Sequence, residues 1–125
     1  MNRKVLHFRA DEQQLRLFDP VPELAGGLVN YVHAYFELGQ NWTDFDVVKA
    51  LWVRGSVTEP AELEDGFCAV PESILAHKGR IEVNLVGYNK HGGILVERLT
   101  SYTITAAEIT AEAKTNGDEP GVIRV

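Results

Sequence analysis

The residues of this chain that could do chemistry are four histidines, one cysteine and a set of carboxylates. A zinc site needs three or four such ligands, and they usually stand in pairs a few residues apart. The histidines are His7, His33, His77 and His91, and none of them has a second histidine or a cysteine at such a spacing. We therefore expect no zinc site, and we interpret these side chains as exposed or hydrogen-bonded.

The single cysteine, Cys68, lies in an apolar stretch with Phe67 before it and Val70 two residues after it. One cysteine excludes an intramolecular disulfide. A cysteine nucleophile needs a positioned base, and no local motif supplies one. Because free cysteine is among the most buried residue types, we predict a buried, reduced thiol.

Carboxylates lie close together at two places. Asp44 and Asp46 resemble the start of a calcium-binding loop, but the later oxygen ligands and the loop glycine are missing. The second group, Glu62, Glu64 and Asp65, is typical of a solvated face. The two Gly-Gly pairs lack the spacing of a phosphate-binding loop. We expect no metal, no cofactor and no enzymatic activity.

The composition is that of an acidic globular protein. The chain has 125 residues, of which 45% are hydrophobic and 24% charged, and its formal net charge is -6. This length fits one domain with a core of its own. Lys and Arg are scattered, which is unfavourable for binding a nucleic-acid backbone. No signal peptide and no membrane-spanning stretch is recognisable, so we expect neither nucleic acid nor membrane as a partner, and synthesis in a cytoplasm.

Alternation of apolar and polar residues predicts β-strands. The strongest pattern covers residues 28–38, where one face is apolar and the other carries Tyr31, His33 and Tyr35. Residues 47–54 are apolar on both faces, which predicts a central strand. Further strands are predicted at residues 5–9, 15–18, 67–70, 80–88 and 94–105, the last with a bulge near Arg98 and Leu99.

Turn signals separate these strands. Residues 57–64 contain Pro60 and predict an edge strand or a loop, and Asp65-Gly66 predicts a hairpin turn. Residues 71–76 begin with proline and predict one short helical turn. Residues 89–93 predict a hairpin loop.

Six to eight short strands without a long helix predict an all-β fold, an antiparallel β-sandwich. Residues 106–114 fit either a helix or a continuation of the last strand. We place the sandwich domain at residues 1–113, followed by a linker or arm at 114–125.

Exposed aromatic residues are the candidates for binding. Trp52 lies in mid-strand and is predicted to belong to the core. Trp42 and Phe45 stand in a predicted loop, where Trp42 either covers an open end of the sandwich or is an exposed anchor for a partner. The strand face with Tyr31, His33 and Tyr35 is either a solvated face or a docking surface. The candidate partner-binding residues are therefore Tyr31, His33, Tyr35, Trp42 and Phe45.

Several segments, taken in order, resemble a family of phage structural modules. The pattern begins with residues 30–38, continues with Asn41-Trp42 and residues 48–53, and then has Cys68-Ala69-Val70-Pro71 before a helical turn. Residues 79–83, Gly-Arg-Ile-Glu-Val, complete it. The order is similar to that in the N-terminal domain of baseplate upper proteins, from phages and prophages of Gram-positive hosts.

The resemblance implies an immunoglobulin-like β-sandwich that anchors a fibre or receptor-binding assembly to a virion, after synthesis in the host cytoplasm. It implies other virion proteins as partners, a homo-oligomer within the assembly, and no catalytic residues. Family members usually continue into a coiled coil or a receptor-binding region, whereas this sequence stops at Val125. The alternatives are a capsid-decoration or head-fibre protein, a module that binds a glycan or receptor, and a phage-encoded inhibitor of a host protein.

Overall fold

A computed structural model describes residues 4–24 and 32–110 of the chain. These residues form ten strands and two one-turn helices: β1 (Lys4–Asp11), β2 (Gln14–Leu17), β3 (Glu23–Leu24), β4 (Val32–Leu38), α1 (Gln40–Thr43), β5 (Val47–Arg54), β6 (Val57–Glu62), β7 (Phe67–Ala69), α2 (Glu72–Leu75), β8 (Gly79–His91), β9 (Ile94–Thr100) and β10 (Ile104–Ile109). The short helical turn predicted near residues 71–76 is confirmed as α2.

The strands form two sheets that enclose one core. The first sheet has the order β2-β1-β4-β7, and the second has the order β3-β10-β8-β5-β6, with β9 also paired to β8. The predicted all-β sandwich is confirmed, while its immunoglobulin-like detail stays a prediction.

Two strand pairs are parallel, so the expectation of wholly antiparallel sheets is wrong. β1 runs parallel to β4, and β3 runs parallel to β10. Parallel neighbours need a crossover connection. Here the chain leaves the first sheet after β2, adds β3 to the second sheet and returns as β4 beside β1.

The core forms where inward residues of both sheets meet. In β1 and β4 the alternate residues Phe8 and Phe36 point inward, and their rings stack with centroids 4.6 Å apart. The indole of Trp52 on β5 lies 6.2 Å from each of these rings. The predictions that Trp52 is a core residue and that its strand is central are both confirmed, since β5 lies between β8 and β6.

Several predictions about the connections are also confirmed. β6 is an edge strand that contains Pro60. Proline has no N–H to donate to a neighbouring strand, so within sheets it is tolerated at an edge. Asp65 and Gly66 have φ values of 52° and 85°, as a two-residue hairpin turn requires. The bulge lies at Arg98, because Gly87 pairs with Leu99 and Tyr88 pairs with Glu97.

Three expectations need correction or a choice. The segment with Trp42 is the helix α1, and not a loop. The hairpin loop predicted at residues 89–93 is shorter, because β8 continues to His91 and only Gly92 and Gly93 form the turn; both have positive φ, which glycine adopts without strain. For residues 106–114 we predicted either a helix or a continued strand. The strand is correct as far as Ile109, where β10 ends.

Other predictions fall outside the described residues. They are the first part of the strand at 28–38 and the arm at 114–125. Within residues 4–24 and 32–110, no helix combines the length and the apolar character needed to cross a membrane.

The side chain of Trp42 has no exposed area, and its Nε1–H donates to the carbonyl of Glu12 at 2.8 Å. Replacing Trp42 with Phe removes this donor and leaves a void. We therefore expect Trp42→Phe to lower the free energy of unfolding by about 1–3 kcal/mol in urea titrations. Tyr102→Phe, at an exposed ring, is the control and should change it by less than about 0.5 kcal/mol. Equal stabilities of the Trp42→Phe variant and the wild type would contradict this role.

Candidate interaction surface

Of the two carboxylates in the calcium-like segment, Asp46 has a structural role. Asp46 Oδ2 accepts a hydrogen bond from the backbone N–H of Lys90 at 2.7 Å. The backbone N–H of Asp46 donates to Asn89 Oδ1 at 3.1 Å. These bonds fasten the segment before β5 to the end of β8. Across the part of the chain that the structure describes, no three His, Cys, Asp or Glu side chains are grouped so that they could hold a metal ion.

The thiol of Cys68 faces the core. On β7, Cys68 pairs with Ala34, whose side chain is fully buried, while the neighbouring Phe67 points to the other side of the sheet. Burial raises the pKa of the thiol to about 11, and the adjacent Trp52 opposes part of this rise. A nucleophilic cysteine requires the opposite shift, so this environment favours a structural side chain.

A row of aromatic rings lies on the outer face of the first sheet. Phe18, His7, Tyr35 and Phe67 follow one another across the sheet, and we call them the aromatic row. The ring centroids of His7 and Phe18 are 4.6 Å apart, those of His7 and Tyr35 are 5.3 Å apart, and those of Tyr35 and Phe67 are 4.5 Å apart.

Strand register produces this row. His7 stands opposite Tyr35 in the β1–β4 pair, and Tyr35 stands opposite Phe67 in the β4–β7 pair. At the end of β2, the N–H of Phe18 donates to the carbonyl of His7 at 2.9 Å. Because alternate residues of a strand share one face, the inward Phe8 and Phe36 require their neighbours to point outward.

The two ends of the aromatic row are half exposed. Phe18 keeps 46% of its surface accessible and Phe67 keeps 51%. Beside them, the Nε2 atom of His7 and the Nδ1 atom of His33 are buried and have no hydrogen-bond partner among the described residues. Large exposed rings that lie close together are typical of a surface that a partner covers.

Charged residues border the aromatic row. The guanidinium carbon of Arg16 lies 5.7 Å from the ring centre of Phe18. The guanidinium of Arg9 donates to both carboxylate oxygens of Asp11 at 2.9 Å and lies 3.4 Å from Glu37. The hydrogen bonds from Arg9 hold the pKa of Asp11 below its usual value. Arg16 is thus a cation that lies beside an exposed ring of the row.

The five predicted contact residues have different positions. His33 and Tyr35 lie on the outer face, as predicted, whereas Tyr31 lies outside the described residues. Trp42 is fully buried and therefore does not belong to an exposed surface; it closes one end of the sandwich. Phe45 lies beside it with ring centroids 6.1 Å apart and packs against Gly87, where an added Cβ would lie 2.5 Å from the ring.

Tyr35, Trp42 and Phe45 nevertheless come together at one cleft of about 430 Å³, where Asp46 and Asp65 also lie. The cleft is open to solvent beside Tyr35, which also belongs to the aromatic row. Sequence reasoning missed His7, Phe18 and Phe67. Alternation in β1 could have placed His7 on an outer face, but the pairing partners of β1 were not predictable.

Cys68 allows a test of this account of the core. Because the pKa of the Cys68 thiol is about 11, about one in a thousand of these thiols is ionised at pH 8. For an ordinary cysteine, roughly a quarter of the thiols are ionised at this pH. We expect the folded protein to react with an aromatic disulfide reagent at least about 100-fold more slowly than the same protein in urea. Similar rates in the folded and unfolded protein would show that the thiol is accessible and ionised.

No family model and no curated protein matches the sequence. Among solved structures, the fold is similar to the N-terminal domain of phage TP901-1 ORF48, a baseplate protein. The TM-score is 0.56 at 12% sequence identity, and the match covers 86% of this chain and 98% of that domain. At this identity the likeness concerns the fold. The predicted resemblance to phage baseplate modules is therefore confirmed at the level of the fold.

Proposed function

We propose that this protein is a non-catalytic structural component of a bacteriophage virion, a baseplate, tail or fibre-anchoring module that acts through protein–protein contacts. The observation that carries the proposal is the likeness to a phage baseplate domain, which this fold matches over 98% of that domain's length. Because fold alone does not determine function, the contacts must come from a specific surface of this chain.

The aromatic row supplies such a surface. Covering the exposed halves of Phe18 and Phe67 removes about 100 Å² of apolar area for each ring, worth roughly 2.5 kcal/mol apiece. The partner that fits is another virion protein with an apolar patch that covers these rings.

The glycan-binding alternative predicts several stacking rings on one open surface. Of the rings proposed for stacking, Trp42 is buried, Tyr35 lies on the outer face, and Tyr31 lies outside the described residues. A glycan, capsid-decoration or host-inhibitor role stays a prediction, and no contact in the described residues favours it over the virion module.

Mass spectrometry of purified particles tests the function itself. We expect this protein in particles of the phage or prophage that encodes it, at a constant copy number relative to the tail proteins and retained through density-gradient purification. Its presence in infected cells together with its absence from purified particles would contradict a virion role.

Variants of the aromatic row test the surface. We expect Phe67→Ser, and Phe18→Ser likewise, to reduce incorporation into particles at least about tenfold when supplied in place of the wild type, because each removes a contact of roughly 2 kcal/mol. Folding should be retained because both side chains are half exposed. The matched control is Tyr102→Ser, at a ring that is 58% exposed and outside the row.

Incorporation should be normal with the Tyr102→Ser control. If the two row variants also enter particles as well as the wild type does, the contacts lie elsewhere on the molecule, although the virion role itself can still hold.

A further inference from the structure

The cleft beside the aromatic row is a second place where this molecule can bind a ligand. Its volume is about 430 Å³, which lies within the roughly 300–1,000 Å³ that small-ligand sites occupy. Residues of β4, α1, β5 and the turn after β6 line it. Because Tyr35 belongs to both the cleft and the aromatic row, a partner that covers the row also reaches the cleft.

The walls of the cleft are mostly apolar. Phe36, Trp42 and Val48 belong to the buried core, and the partly buried Phe45 and Leu63 pack against them. A long side chain that ends in a charge can bury its hydrocarbon stem along a surface of this kind. The walls therefore suit an amphipathic ligand group better than a small hydrated ion.

The charges of the cleft are all negative. Asp46 and Asp65 line it and are exposed, whereas no lysine, arginine or histidine is among its described lining residues. The contact of Lys90 with Asp46 is made by the backbone N–H. Among the described residues, neither carboxylate forms an ion pair with a cation of the chain. The complement of this cleft is thus a cationic group supplied from outside.

The backbone that carries both carboxylates is held in place. The N–H of Lys90 fixes Asp46, as described above. Asp65 lies in a hairpin turn in which Glu64 and Phe67 exchange two backbone hydrogen bonds of 2.9 Å. The N–H of Phe36 donates to the carbonyl of Gly66 at 2.8 Å, which joins this turn to β4. Because the site is already ordered, binding costs little loss of conformational freedom.

We propose that the cleft binds an arginine side chain of a partner protein. The stem of the arginine packs on the apolar walls, and its flat guanidinium lies against the ring of Tyr35 while donating hydrogen bonds to Asp65 or Asp46. A lysine ammonium is more strongly hydrated and has no flat surface to stack on a ring. The net charge of -6 also attracts a basic partner.

This inference goes beyond the proposed virion role, because it names a second site and the group that the site recognises. Binding of an arginine probe in solution does not depend on assembly into a particle. Failure of this binding would leave the virion role standing, since that role is tested on purified particles.

Nuclear magnetic resonance titration of the full-length protein measures the binding, with N-acetyl-arginine N-methylamide as the probe. We expect saturable shifts of the amide signals of Thr43, Asp46 and Gly66, with a dissociation constant on the order of a few millimolar. The citrulline analogue has nearly the same shape without the charge, and it should bind at least about tenfold more weakly. High salt should weaken binding of the arginine probe.

Amide variants of the two carboxylates test their roles. Asp65→Asn should weaken binding of the arginine probe about threefold, and the double variant with Asp46→Asn about tenfold. Asparagine tolerates the positive φ of residue 65, and at residue 46 it keeps an oxygen for the N–H of Lys90. The matched control is Asp44→Asn, at an exposed carboxylate that is not part of the lining, and it should leave the dissociation constant unchanged.

Three results would overturn the proposal. The first is the absence of saturable shifts with the arginine probe, and the second is equal binding of the citrulline analogue or of the double variant. The third is a shift of these amides by N-acetylglucosamine and not by the arginine probe, which would make a glycan the occupant of the cleft.

Discussion

The parallel pairing of β1 with β4 is the constraint on which the rest of the structure depends. Its register places Phe8 opposite Phe36, and the two stacked rings meet Trp52 of the other sheet. The same register places His7 opposite Tyr35 on the outer face. A slip of one residue would exchange these faces, exposing the core aromatics and burying a histidine. The core and the aromatic row are therefore two consequences of one pairing.

Local patterns in the sequence were sufficient to predict features that depend on neighbouring residues. β5 was predicted as a central strand because both of its faces are apolar, and β6 as an edge strand or loop because it contains Pro60. The bulge at Arg98 was visible as a change in phase of the alternation. In each case the physical cause lies within a few residues, so composition and spacing reveal it.

Features that depend on distant segments could not be predicted in this way. Nothing near β1 shows that it pairs parallel with β4, because the crossover passes through the other sheet. The burial of Trp42 depends on the carbonyl of Glu12, thirty residues away. Of the candidate contact residues, His33 and Tyr35 were placed on the correct face. The aromatic row, to which Tyr35 belongs, also needs His7, Phe18 and Phe67, and their segments are brought together only by the order and register of the strands.

The likeness to the phage baseplate domain at 12% identity shows which architecture is shared, whereas our proposal of where this chain makes contacts rests on its own side chains. Trp42 belongs to the core, and the partly buried Phe45 and Cys68 pack against it. With these residues assigned to structure, the outer face of the first sheet keeps four aromatic rings in a row.

The central claim is that this outer face is covered by another virion protein in the assembled particle. A cryo-electron microscopy map of the intact particle, at a resolution that shows side chains, tests it most directly. We predict density for the sandwich in which the rings of Phe18, Tyr35 and Phe67 lie against a neighbouring protein. A sandwich whose aromatic row faces solvent in the particle would contradict the claim.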